Sequence, residues 1–180
     1  MKKLLLFSLV FLFGACNSTS TTEENANQPA VEDRLRELGI ELPEPSQPVA
    51  NYVNAVRTGN LVFMAGKGPK QSDGTYITGK LGADLTVEEG YAAARLVAIN
   101  QLAALQAEIG DLNKVKRVVK VLGMVNADAS FTDHPKVVNG FSDLMVEVFG
   151  DRGKHARAAV GMGSLPRNIA VEIEFIVEVE

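Results

Sequence analysis

Two histidines, one cysteine and a glycine-rich segment are the first places to look for chemistry in this chain of 180 residues. His134 and His155 share no helix or hairpin spacing, and Cys16 has no second thiol to join it. The ligand spacing of a zinc site is therefore missing, and an internal disulfide is impossible. No Gly-x-Ser-x-Gly elbow occurs to present a nucleophilic serine. Residues 74–80 (GTYITGK) imitate a phosphate-binding loop only as far as Leu81, where a magnesium-binding Ser or Thr should stand. Lys114, Lys116, Arg117 and Lys120 form a basic stretch without interleaved aromatic residues, which reads as a solvated strand face. From Ser46 onward fifteen acids face fourteen bases, so the domain is nearly neutral and lacks the electrostatic footprint of a nucleic-acid binder. No metal, cofactor or nucleic-acid partner is expected. Two stretches remain: residues 155–161 (HARAAVG) and residues 170–174 (AVEIE).

The elements that must position them follow from periodicity and punctuation. Residues 31–38 read as a short helix stopped by Gly39, after which Pro43, Pro45 and Pro48 rule out regular structure. Residues 51–56 and 61–66 read as strands around the turn at residues 58–60, and residues 71–82 as a polar loop. Thr86 and Glu89 match a capping box. The helix it opens runs to Ile109, with Tyr91, Ala94, Ala98, Leu102, Leu105 and Ile109 as its buried face and Gly110 as its stop. Residues 115–125 are β-branched and read as a strand. Asp133 and Pro135 open a second amphipathic helix, with Pro135 at the first helical position and Val138, Phe141, Met145 and Val148 inward. Residues 156–162 form a further strand. Residues 170–179 alternate, with Val171, Ile173, Phe175, Val177 and Val179 on one side and Glu172, Glu174 and Glu178 on the other. This order predicts an α+β domain, one sheet with both helices packed on a single face.

The N-terminus reads as an address. Lys2 and Lys3 precede an apolar run over residues 4–13, about half of the ~20 residues a membrane span needs. Phe13-Gly14-Ala15-Cys16 closes it. A charged start, a short apolar run and small residues before a cleavage point mark a secretory signal, and the cysteine in that place resembles the lipobox of bacterial lipoproteins. The expected organisation is a lipoprotein signal peptide over residues 1–15, a flexible stalk over 16–30 and a domain over 31–180. Cys16 is the expected lipid attachment site, and contact with the membrane is through that lipid only. The protein is then exported and anchored to the bacterial cell envelope, as a periplasmic or outer-membrane lipoprotein. The stalk is rich in Ser, Thr, Asn and Glu and has too little apolar surface to offset its ordering entropy.

Residues 155–161 and 170–174, with Asn51-Tyr52-Val53, residues 57–60 (RTGN), residues 65–69 (AGKGP), residues 110–112 (GDL) and Asn139-Gly140-Phe141, resemble the RidA/YjgF family of enamine/imine deaminases, also labelled endoribonuclease L-PSP. The resemblance covers nearly the whole domain. It implies a chorismate-mutase-like fold and a homotrimer around a central barrel, with clefts between neighbours. It implies that Arg157 binds the substrate carboxylate, that Glu172 positions or activates water, and that Tyr52, Gly66, Asn139 and Ala159 line the cleft. Lys67 joins the substrate-binding set. The implied reaction hydrolyses a small 2-imino acid to a 2-keto acid and ammonia without metal or cofactor. That is chemically reasonable, because an imine carbon is already electrophilic and a guanidinium fork can orient a carboxylate through two parallel hydrogen bonds.

The chain departs from the deaminase pattern at Ala65 (commonly Ser), Lys67 (Gln), Ala159 (Cys or Ser) and His155 (Pro). A second reading makes the domain a non-catalytic small-carboxylate-binding module of the cell envelope. A purely structural alternative pairs Arg157 with Glu172 or Glu174, stabilising the sheet or a subunit contact.

The anchor carries its own test. Cys16→Ser should leave the domain folded and release it from membranes. A Cys16→Ser protein that fractionates with membranes as the native protein does rules out acylation.

Overall fold

A computed structural model of the chain describes residues 30–48 and 50–180. The expected signal peptide, lipid site and stalk, up to residue 29, lie outside the described residues. Among those described, no helix is long and apolar enough to cross a membrane.

The chain runs through α1 (Val31–Glu37), β1 (Ala55–Thr58), β2 (Leu61–Lys67), α2 (Val87–Ile109), β3 (Val115–Asn126), α3 (His134–Phe149), β4 (Ala156–Met162) and β5 (Val171–Val179). The five strands form one sheet in the order β1-β2-β5-β3-β4. Only β3 and β4 are parallel; their connection passes through α3. The alternation expected of β5 holds: its odd-numbered residues are buried and Glu172, Glu174 and Glu178 face the other way. Phe175 meets Phe141 of α3 edge-on, with ring centroids 5.6 Å apart. Both long helices cover that one face, as the sequence pattern predicted.

Helix α2 starts in the expected capping box: the Glu89 amide donates to Thr86 Oγ1 at 3.2 Å and the Thr86 amide to Glu89 Oε2 at 2.8 Å. Its buried face is wider than one apolar stripe. Ala93, Val97, Gln101 and Ala104 are buried beside the predicted residues, because α2 has two neighbours, the sheet and α3. Tyr91 sits at the margin, half-buried, with its hydroxyl donating to Asp143 Oδ2 at 2.9 Å. Gly140 brings α3 against the Tyr91 carbonyl, where a Cβ would collide with backbone. Pro135 occupies the second helical position of α3, not the first, since His134 is already helical.

Strand β1 begins at Ala55 and not at Asn51. Asn54 is used otherwise: its Nδ2 donates to the Ser46 carbonyl at 3.0 Å and its Oδ1 accepts from Lys67 Nζ at 2.9 Å. Strand β2 carries one extra residue. Met64 pairs with Phe175 and Lys67 with Ile173, so three steps on β2 match two on β5. This bulge is held from the helix side by Gln101, fully buried, whose Nε2 donates to the Ala65 carbonyl at 2.9 Å and the Ile173 carbonyl at 2.7 Å. Gln101→Leu keeps the volume but strands both carbonyls. It should lower stability by roughly 1–3 kcal/mol for each acceptor left unpaired, measured by urea unfolding. A change within error would mean that water takes over both acceptors.

Candidate functional site

The bulge places Gly66 beneath Glu172. A Cβ at Gly66 would run into Glu172 Oε1, so glycine makes the room this carboxylate occupies. Both residues line a cleft of about 440 Å³, together with Tyr52, Lys67, Lys70, Tyr76 and Arg167. Four expected site residues, Tyr52, Gly66, Lys67 and Glu172, thus meet in one place. The Glu172 carboxyl is half-buried; burial first, then the neighbouring Glu174, pushes its pKa above the ordinary carboxylate value. The Lys67 ammonium, also half-buried, is pulled below its ordinary value by desolvation and then by Lys70. Among the described residues no ion pair links Lys67 to Glu172; one Lys67 donor goes to Asn54 Oδ1 instead.

Arg157 lies elsewhere. It is opposite Val121 on β3, whose side chain is in the core, so it points to the helix face near the sheet edge. Its Nη1 donates to Asn139 Oδ1 and to Ser142 Oγ, both at 2.9 Å and both on α3. Ser142 Oγ is in turn 3.0 Å from His155 Nε2, and His155 Nδ1 is 2.6 Å from the Gly153 carbonyl. A carbonyl can only accept, so Nδ1 carries the proton and Nε2 accepts from the serine. Burial holds the imidazole pKa below its ordinary value, which favours this neutral form. The chain Gly153–His155–Ser142 therefore orients the hydroxyl so that a lone pair meets the guanidinium. Ala159, two residues on, shares the Arg157 face and packs against the core.

The two groups are not brought together within one chain. Glu172 pairs with Met124, three residues beyond Val121, and stands on the opposite face of the sheet. That is roughly 10 Å along the strand in addition to two strand spacings and the sheet itself. The intrachain pairing of Arg157 with Glu172 or Glu174 is thereby overturned: its partners are neutral, and parity separates it from both carboxylates. Lys70, Tyr76 and Arg167 on the cleft wall and Ser142 beside Arg157 are residues that sequence reasoning missed. Only Ser142 left a signal, one helical turn after Asn139.

Glu172 makes a prediction about stability. Its charged form is disfavoured on folding, so its cost is present at neutral pH and disappears as the pH falls below the ordinary carboxylate range, where both states are protonated. Glu172→Gln should therefore melt higher than the native protein at pH 7 and coincide with it near pH 4. A lower melting point at pH 7 would mean that the carboxylate stabilises the fold.

Comparisons with known proteins bear on the family and the fold. The family model described as "YjgF/chorismate mutase-like, putative endoribonuclease" matches residues 32–179. Protein TCP17 of Trypanosoma cruzi is 48% identical over 145 residues, covering 80% of this chain and 91% of that protein. A 2-iminobutanoate/2-iminopropanoate deaminase of Dermatophagoides farinae is 29% identical over 142 residues, covering 78% and 95% respectively. A solved structure from Shewanella oneidensis superimposes with a TM-score of 0.81 at 35% identity, covering 84% of this chain and all of that one (100%). The chain belongs to the YjgF/chorismate-mutase-like family, and its mixed five-stranded sheet with helices on one face is that family's fold.

Proposed function

We propose that the protein is a deaminase-like hydrolase that converts small 2-imino acids to 2-keto acids and ammonia, in a site shared between copies of the chain. The observation that carries this reading is the division of Arg157 and Glu172 between opposite faces of one sheet. Each half is incomplete. Arg157 has Nε and Nη2 without a bond to any described residue, and Glu172 lies half-buried in an open cleft. The sheet face that carries Glu172 is also uncovered and apolar: Phe63, Val56 and Val160 are exposed there, next to Leu122, Met124 and Ile176. Packing these faces in a homotrimer around a central barrel would bury them and bring Arg157 of one copy to the Glu172 cleft of the next. The lipid on Cys16 would hold this assembly at the cell envelope. The similarity to a 2-iminobutanoate/2-iminopropanoate deaminase supports the reaction class.

In this reading the Arg157 fork binds the substrate carboxylate and sets the imine carbon beside Glu172. A water oxygen bonds to that carbon as the C=N electron pair moves to nitrogen, and Glu172 takes the water proton. Glu172 then gives the proton to the nitrogen, forming a carbinolamine; the hydroxyl proton passes by way of Glu172 to the same nitrogen, and the C–N bond breaks as the C=O bond forms, leaving the 2-keto acid and ammonia. A carboxyl with a raised pKa suits both directions of transfer.

The test is turnover of 2-aminoacrylate generated enzymatically in the assay. The native protein should accelerate pyruvate and ammonia release. Arg157→Lys keeps the charge but loses the planar fork, so it should be strongly impaired while its melting point stays near native, because no buried carboxylate is stranded. Arg157→Ala and Glu172→Gln should each be inactive alone and regain activity when refolded together, since mixed assemblies contain some intact sites. Failure of complementation would mean that Arg157 and Glu172 do not act together in a shared site. Carboxylate binding without any turnover would make the domain a binding module.

A further inference from the structure

The Glu172 cleft holds more positive charge than one carboxylate requires. Lys67, Lys70 and Arg167 line it, against the single acid Glu172. In a domain with fifteen acids and fourteen bases from Ser46 onward, this is a local excess. None of the three cations forms an ion pair among the described residues. The ammonium of Lys67 is bound only to the neutral Asn54 Oδ1, which leaves donor capacity toward the cleft.

Arg167 is held in place at a conformational cost. It and Asn168 both adopt left-handed backbone, with φ of 56° and 58°, a conformation that side chains bearing Cβ disfavour. The turn persists because Asn126, fully buried, donates to Asn168 Oδ1 at 2.9 Å, and the Gly79 amide donates to the Asn168 carbonyl at 2.9 Å. The result sets the Arg167 guanidinium over the Tyr76 ring, 5.9 Å from its centroid, on the cleft wall. Lys70 is fixed from below, as Asn100 Nδ2 donates to its carbonyl at 3.0 Å.

We propose that Lys67, Lys70 and Arg167 form a subsite for a second anionic group on the substrate's side chain, a carboxylate or a phosphate. The inference rests on the proposed reading in one respect: the substrate's own carboxylate is taken to occupy Arg157 of the neighbouring copy. The preferred substrates are then imino acids derived from acidic or phosphorylated amino acids, and small uncharged side chains are poorer ligands.

Binding of the corresponding 2-keto acids tests this, measured by calorimetry on the domain in its native assembly. The probes are 2-ketobutyrate, 2-ketoglutarate and phosphohydroxypyruvate. The two acids that carry a second anionic group should bind at least roughly tenfold more tightly than 2-ketobutyrate, the scale of two partly exposed ion pairs. The preference should shrink with added salt. Lys70→Met and Arg167→Met should narrow the gap while retaining 2-ketobutyrate affinity. Whichever of the two shows the gap identifies the second anionic group as carboxylate or phosphate. Equal affinity for all three acids, with every one lost in Arg157→Lys, overturns the subsite and leaves the shared site standing. Binding of 2-ketoglutarate or phosphohydroxypyruvate that needs Lys70 and Arg167 but ignores Arg157→Lys supports the subsite and removes the proposed carboxylate clamp. No binding by any acid overturns both.

Discussion

The hydrogen bonds from Gln101 to the Ala65 and Ile173 carbonyls are the constraint on which the site depends. They cross from α2 to two adjacent strands and hold the one-residue bulge in β2. A regular strand would alternate Met64 inward, Ala65 outward and Gly66 inward. The extra residue resets that alternation, puts Lys67 opposite Ile173 and sets Gly66 where only a hydrogen leaves room for the Glu172 carboxylate. A polar side chain in the core is tolerated because its amide nitrogen is fully used; its Oε1 has no partner among the described residues, a cost accepted in exchange for the strand geometry.

The same logic of neutral support recurs at the charged groups. Arg157 is held by an amide oxygen and a hydroxyl, and Lys67 by an amide oxygen. An internal carboxylate partner would cancel each charge and make a ligand compete with an ion pair already formed. Neutral acceptors orient the donor and leave the charge available. Desolvation acts in the same direction on Glu172 and Lys67, since half-burial disfavours the ionised form of both. A ligand able to share that environment relieves the penalty.

The departures from the deaminase pattern acquire physical roles in this frame. Ala65 contributes its carbonyl to Gln101 rather than a side chain to the cleft. Lys67 is anchored by Asn54, the residue that also delays the start of β1. His155 replaces a proline and gains a function a proline cannot have, the orientation of Ser142 toward Arg157. Ala159 simply packs against the core. The cleft keeps a carboxyl group, Glu172, and its lining becomes more cationic.

What the sequence determined by itself was the local content: the capping box and length of α2, the amphipathic stripe of α3, the alternation of β5, the one-sided stacking of helices on the sheet. These are legible because burial on one face writes a period into the chain. The motif residues were legible too, and four of them share a cleft. The sequence did not reveal on which face of the sheet Arg157 lies, that Gln101 holds a bulge, or that β1 waits until Ala55. Each of these depends on register between strands distant in the chain, where a shift of one residue exchanges the two faces. The parallel pairing of β4 with β3 turned Arg157 toward α3 and away from Glu172. Lys70, Tyr76 and Arg167 come from loops without periodicity, and only the folding of those loops over one another made them neighbours.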